Sequence, residues 1–360
     1  MKKHFILIAL LLISLVSSLS LAQNRAKQPK QPTSGPGSSS LTHTTTTKNH
    51  YGSGATEYFL YEPADPKPTS APVIVFVHGF GAINPITYGA WIDHLVRRGN
   101  IVIYPRYQLD SRTPPKEFTP NAISSIKDAI NRLQNENGHV LPDLGKFAIV
   151  GHSAGGIVTA NLAAEALFEG LPSPRAVMSV APGKSMAPTF PLGIPLANLG
   201  QIPRDTLLLT LAGDVDNVVG DADAKRIFQE STQVLSTNKN FIIVQSDNHG
   251  QPLIADHGAP SAIDKQYDSG EKFNGQAQEQ QANNSHNQMN NNNSNNLKKS
   301  TINVNGLDFY GYWKLFDGLC DAAFFGTNRD YALGNTELQR YMGQWSDGVA
   351  VKQLIVTTAQ

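Results

Sequence analysis

Phe147-Ala148-Ile149-Val150-Gly151-His152-Ser153-Ala154-Gly155-Gly156 is the stretch from which the fold of this chain is read. Four strand-forming apolar residues run straight into G-x-S-x-G, the spacing in which a serine stands on a sharp turn between a strand and a helix. Backbone so strained needs flanks without bulk, and glycine at 151 and 155 lets strand and helix close together while Ser153 projects outward. Ser153 is therefore a candidate nucleophile. A serine is a poor nucleophile until a base takes its proton and a third group orients that base, so later loops should supply an acid and a histidine.

Both follow, acid first. Residues 206–211 lead into Ala212-Gly213-Asp214-Val215-Asp216-Asn217-Val218-Val219, and residues 241–245 into Ser246-Asp247-Asn248-His249-Gly250. Asp216 is the expected acid, because it stands further past the strand end than Asp214, where a carboxylate can turn back toward an imidazole; Asp221 is a distant third. His249 is the expected base, since it directly follows the last core strand, and His257 is the runner-up that a longer loop could deliver. An oxyanion on the attacked carbonyl needs preorganised donors. The amide of Ala154 and that of Phe80, in His78-Gly79-Phe80-Gly81 after the apolar run at 73–77, are the expected pair. His78 and His152 read as groups that pack and hydrogen-bond beside these loops rather than as proton carriers. Phe80, Phe118 and Met186 are candidate pocket walls. No HxH, HExxH or acidic cluster is present, so neither a metal nor another cofactor is implied.

Short β-branched runs alternate with helical segments from residue 51 to residue 254, the pattern of an α/β fold whose mostly parallel sheet carries helices on both faces. Strands are expected at 56–61, 73–77, 101–104, 147–150, 176–180, 206–211 and 241–245, several of them continuously apolar as doubly covered strands are. Ile123, Ile126, Ile130 and Leu133 repeat at helical spacing after Thr119-Pro120, a second helix leaves Ser153 and runs to about Glu169, and a third spans 307–325. The tail at 349–356 suits an added edge strand. Residues 181–204, the only long connection between the serine turn and the acid, leave no room for a large lid domain.

The ends and one internal stretch read differently. Residues 1–22, with a lysine pair, an apolar run and small residues at 20 and 22, read as a secretory signal peptide too short for a stable membrane span. Residues 23–50, rich in Lys, Pro, Gln, Ser and Thr, read as a disordered linker, and 51–360 as the catalytic domain. Within that domain a Gln/Asn-rich insertion at about 265–300 reads as disordered, with Asn283 and Asn292 in glycan-acceptor sequences. The 29 basic residues equal the 29 acidic ones, so no basic field exists to recruit nucleic acid. A single cysteine, Cys320, excludes an internal disulfide and reads as a buried inert thiol.

With His78-Gly79-Phe80-Gly81, the Ser153 turn, Gly213-x-x-Asp216 followed by valines, and His249 in this order, the chain resembles the α/β-hydrolase superfamily over roughly residues 56–325. It looks most like secreted dienelactone hydrolases, cutinases and polyester hydrolases, or the related platelet-activating-factor acetylhydrolases and chlorophyllases. It departs from them in carrying serine where dienelactone hydrolases carry cysteine, and in lacking the disulfides of many cutinases. The resemblance implies a serine hydrolase cleaving small-molecule or polymeric carboxylic esters through an acyl-enzyme. The same machinery acting on amides or peptides, and a non-catalytic binding module on the same fold, are the rival expectations.

Overall fold

The computed structural model describes residues 25–187, 190, 192–273 and 304–359. The expected signal peptide, the glycan-acceptor asparagines and most of the Gln/Asn-rich stretch lie outside these residues. Among the described residues nine strands form one sheet in the order β1-β2-β4-β3-β5-β6-β7-β8-β9. They are β1 Thr45–Tyr51, β2 Tyr58–Ala64, β3 Ser70–Val77, β4 Ile101–Pro105, β5 Leu141–His152, β6 Ala176–Val180, β7 Leu207–Gly213, β8 Lys239–Val244 and β9 Ile355–Thr358. From β4 through β8 every neighbouring pair is parallel, while β1, β2 and β9 add antiparallel edges.

Strand periodicity splits the core in two. Ile74 and Phe76, Val102 and Tyr104, Ala148 and Val150 face one side, where they pack with Trp91, Tyr312 and Phe316. Their neighbours Val73, Val75, Val77, Ile101, Ile103, Phe147 and Ile149 face the other and meet Phe118, Ile126, Ile157 and Leu162. Each central strand is thus apolar on both faces, which is why it reads as an unbroken run. The first face is covered by α1 Gly89–Arg97 and α5 Lys314–Phe325, the second by α2 Phe118–Asn135 and α3 Ala154–Glu165. The remaining helices are α4 Ala222–Glu230 and the single turn α6 Glu337–Arg340. No helix among the described residues is long and apolar enough to cross a membrane. The only helical element in the described part of 181–206 is the short turn Leu199–Gln201, so that connection carries no large lid.

Several expectations need correction. Residues 25–50 are not a free linker. Gly37 donates its N–H to Asp317 Oδ2 at 2.7 Å, the His43 ring meets the Pro66 carbonyl at 2.6 Å, and Thr45 onward pairs with β2 as β1. The segment is held in large part through its backbone groups, a kind of anchoring that side-chain composition does not register. The polar insertion begins later than residue 265: Tyr267 is buried and hydrogen-bonds to Asp93 at 2.9 Å, and Glu271 pairs with Arg106 at 3.1 Å. The third helix opens with a π-helical turn, Asp308–Trp313, before α5. The edge strand at the tail is four residues, Ile355–Thr358, because residues 341–354 pack instead against the loop after β8. Cys320 is buried among apolar groups as expected, and burial pushes its thiol pKa well up.

Candidate active site

Ser153 lies between the end of β5 and the first residue of α3, with φ 58° and ψ −125°. Positive φ is costly for a side-chain-bearing residue, and here the turn is clamped from both sides. The Ser153 N–H donates to the Val180 carbonyl at 2.9 Å, and its carbonyl accepts from Gly156 at 2.8 Å and Gly183 at 3.2 Å. A Cβ on Gly155 would run into the carbonyls of Val77 and His78, and one on Gly151 into Thr159 and the Gly155 backbone. Those two glycines let the turn form against β3.

The imidazole beside Ser153 belongs to His257. Its Nε2 is 2.9 Å from Ser153 Oγ, and its Nδ1 is 2.8 Å from Asp216 Oδ2. The other oxygen of Asp216 accepts from the amides of Val218 at 2.9 Å and Val219 at 3.1 Å. Burial alone would raise the Asp216 carboxyl, but the His257 hydrogen bond and charge and these amides outweigh it and hold the pKa below the usual carboxylate range. Asp216, the expected acid, is thus the carboxylate that faces His257. His249, the expected base, does not reach the serine: its Nε2 is 2.7 Å from Asp347 Oδ2, and its ring lies against Trp345.

The backbone explains this correction. Asp247 and Leu253 exchange N–H···O bonds of 2.8 Å each way, so the chain leaving β8 folds into a tight loop that carries His249 toward the C-terminal arm. It then returns through Ile254 and Ala255, with the Ala255 carbonyl packed onto Gly213, and this second pass delivers His257 beside Asp216. The buried residues Leu253, Ile254 and Ala255 were the sequence signal for that return. Asp214 braces the returning loop instead of orienting the base. Its carboxylate accepts from the Ser246 amide at 2.8 Å and hydroxyl at 2.6 Å, and that hydroxyl in turn accepts from the Ala255 amide at 2.9 Å. Asp221 pairs with Lys225 at 2.6 Å.

On the opposite side of the serine lies the loop after β3. The Gly79 carbonyl accepts from the Ala82 amide at 3.0 Å, and the His78 ring bridges it and the Arg106 carbonyl, Nδ1 and Nε2 each 2.7 Å from one of the two oxygens. Because a trans peptide is planar with its C=O and N–H opposed, fixing that carbonyl also fixes the direction of the Phe80 N–H. Among the described residues the amides of Phe80 and Ala154 have no hydrogen-bond acceptor. Burial pushes His78 down to about 4 and His152 down to about 3, so both are neutral at physiological pH. A cavity of about 340 Å³ opens from Ser153 and Ala154, walled by Phe80, Phe118, Phe190, Leu192, Val218 and Val219 among others. Phe80 and Phe118 line it as expected; Met186 is exposed and does not. Among the described residues no group of three or more His, Cys, Asp or Glu is placed to hold a metal ion.

Strand order, the serine turn and the succession of serine, acid and histidine along the chain define an α/β-hydrolase fold. Residues 37–188 match the family model of the chlorophyllases. A 115-residue segment is 31% identical to Esterase LipI of Mycobacterium tuberculosis, covering 31% of this chain and 35% of that protein. The chain thus aligns with about a third of the length of this curated relative.

Proposed function

We propose that the protein is a secreted serine hydrolase that cleaves carboxylic esters in two steps, with Ser153, His257 and Asp216 as its triad. The observation that carries this reading is the position of His257, within hydrogen-bond distance of both Ser153 Oγ and Asp216. Ser153 Oγ attacks the ester carbonyl as His257 Nε2 takes its proton, and Asp216 stabilises the imidazolium through Nδ1. The oxyanion rests on the Phe80 and Ala154 amides. It collapses to an acyl-serine as His257 returns the proton to the leaving alcohol, and water then repeats the sequence to release the acid. The walls of the cavity are mainly aromatic and aliphatic, which favours an apolar acyl or alcohol group there. The match to chlorophyllases and to an esterase supports ester rather than amide chemistry. Secretion rests on the leader-like residues 1–22.

The test is fluorophosphonate labelling together with hydrolysis of p-nitrophenyl esters of rising acyl length, alongside matched anilides. Ser153→Ala should lose labelling, and both Ser153→Ala and His257→Gln should lose about 10⁴-fold or more in kcat. His249→Gln should stay within about twofold of wild type, since an exposed ion pair is worth little. Absence of labelling and turnover in the wild-type protein would sink the reading, and anilide turnover matching ester turnover would redirect it to amides.

A further inference from the structure

Three separate loops meet behind Ser153 at a pair of buried side chains that the proposed chemistry does not use. Tyr88, on the turn Pro85–Tyr88 that leads into α1, is 2% exposed, and its hydroxyl accepts the Gly79 N–H at 3.1 Å. The same oxygen is 2.8 Å from His152 Nδ1. Tyr88 has one hydroxyl proton and no other acceptor among the described residues, so that proton goes to His152 Nδ1 and the neutral imidazole carries its own on Nε2. His152 Nε2 is buried without a hydrogen-bond partner, and the backbone of His257 lies beside it. The rings of His152 and His257 stand 4.8 Å apart between centroids. Gly79 itself has so little clearance that a Cβ there would come within 3.3 Å of Ser153 Cβ.

We infer that Tyr88 and His152 form a positioning unit that locks the His78–Gly79 peptide against Ser153 and His257 and, through Gly79, orients the Phe80 N–H, setting the oxyanion donor for the tetrahedral state. The inference rests on the ester-hydrolase reading above. Neither side chain touches the reacting atoms; both act through the backbone of residues 79–80 and through the base. Without the Tyr88 hydroxyl the Gly79 N–H and His152 Nδ1 both lose their partner in a buried place, and the loop carrying Phe80 is free to shift. A donor displaced by a few tenths of an ångström weakens in the transition state far more than in the ground-state complex.

The experiment compares Tyr88→Phe, His152→Gln and the double variant with wild type, reading kcat and KM on a p-nitrophenyl ester. It also reads the inhibition constant of an alkylboronic acid, which forms a tetrahedral adduct with a nucleophilic serine. Tyr88→Phe should lower kcat about 10- to 100-fold with KM within about twofold, and weaken the boronate by the same factor as kcat/KM. The double variant should lose no more than the worse single one, since the two residues act as one unit. Unchanged kcat in Tyr88→Phe, a loss confined to KM, unchanged boronate affinity, or additive losses would each overturn the inference. If Tyr88→Phe does not fold, His152→Gln is read on the same kcat and boronate criteria. A wild type without serine labelling would instead sink the parent reading, so the two failures are distinguishable.

Discussion

Gly155 sits where β3 and the serine turn touch, and a methyl group there would overlap the carbonyl oxygens of Val77, the last residue of β3, and of His78, which is held by the Tyr107 hydroxyl. Gly155→Ala should therefore lower stability by about 3 kcal/mol or more, measured from the denaturant midpoint. It should also cost activity, because the turn and the Phe80 loop move together. At this scale Ser153 and Asp216, which the structure brings together around His257, could be singled out in the sequence with the amides proposed as oxyanion donors, since each stands at a fixed offset from a strand end. The histidine was not. His249 and His257 both follow β8, and what separates them is the pair of backbone hydrogen bonds between Asp247 and Leu253, whose trace in residue type is no more than the short apolar run at 253–255.

Among the elements, the packing of α5 depends on one buried lysine, whose pKa burial lowers to about 7. Lys314 is 2% exposed, and its ammonium donates to the carbonyls of Leu338, Gln339 and Tyr341, closing the C-terminal end of α6. Lys314→Met fills the volume but leaves three carbonyls without a donor; it should cost about 2–4 kcal/mol, seen as a lower melting temperature with the ester-hydrolysis KM unchanged. The strands β3, β4 and β6 to β8 were legible to within about three residues because apolar runs covered on both faces have no other stable home, whereas β5 begins six residues before its apolar run. The π-helical turn before α5 was not, since aromatic residues at 310, 313 and 316 satisfy an α-helical spacing equally well.

For the molecule as a whole, the segment before β1 is part of the fold rather than an appendage. Asp317, buried beneath it, is pushed up by burial but held low overall by Arg98 and His94, and Gly37 supplies one of its donors. A chain beginning at Thr45 should unfold at a lower temperature by several degrees, where a free linker would change nothing. Stability should also respond to pH through His152. Burial holds its folded pKa at about 3 against an ordinary value of 6.5, so between these limits only the unfolded chain takes up its proton. Its contribution is therefore full above pH 6.5 and lost as pH falls. Burial of Asp308, which raises that carboxyl, acts in the opposite sense, so the histidine is isolated by comparison with a variant. Relative to wild type, His152→Gln should gain about 1.4 kcal/mol per pH unit as pH drops from 6.5 to 4, in urea titrations. The overall class of fold was legible from alternation alone, while the placement of residues 25–50 was not, because it depends on backbone pairing with β2 and on partners such as Asp317 and Ser346 that lie hundreds of residues away in sequence.

Those distant partners bear on how the protein comes into being. Lys27 donates its amide to Ser346 Oγ at 2.8 Å, Ser346 returns one to the Lys27 carbonyl at 3.0 Å, and Trp345 and the Lys352 amide brace Asp247 at the root of the loop that ends in His257. On the ribosome the first of these segments emerges about three hundred residues before the last, so the clasp cannot close until residue 346 has been made. A nascent chain short of residue 345 lacks both β9 and the brace at the root of the loop that leads to His257, so hydrolysis is expected to appear only after that tail has been made.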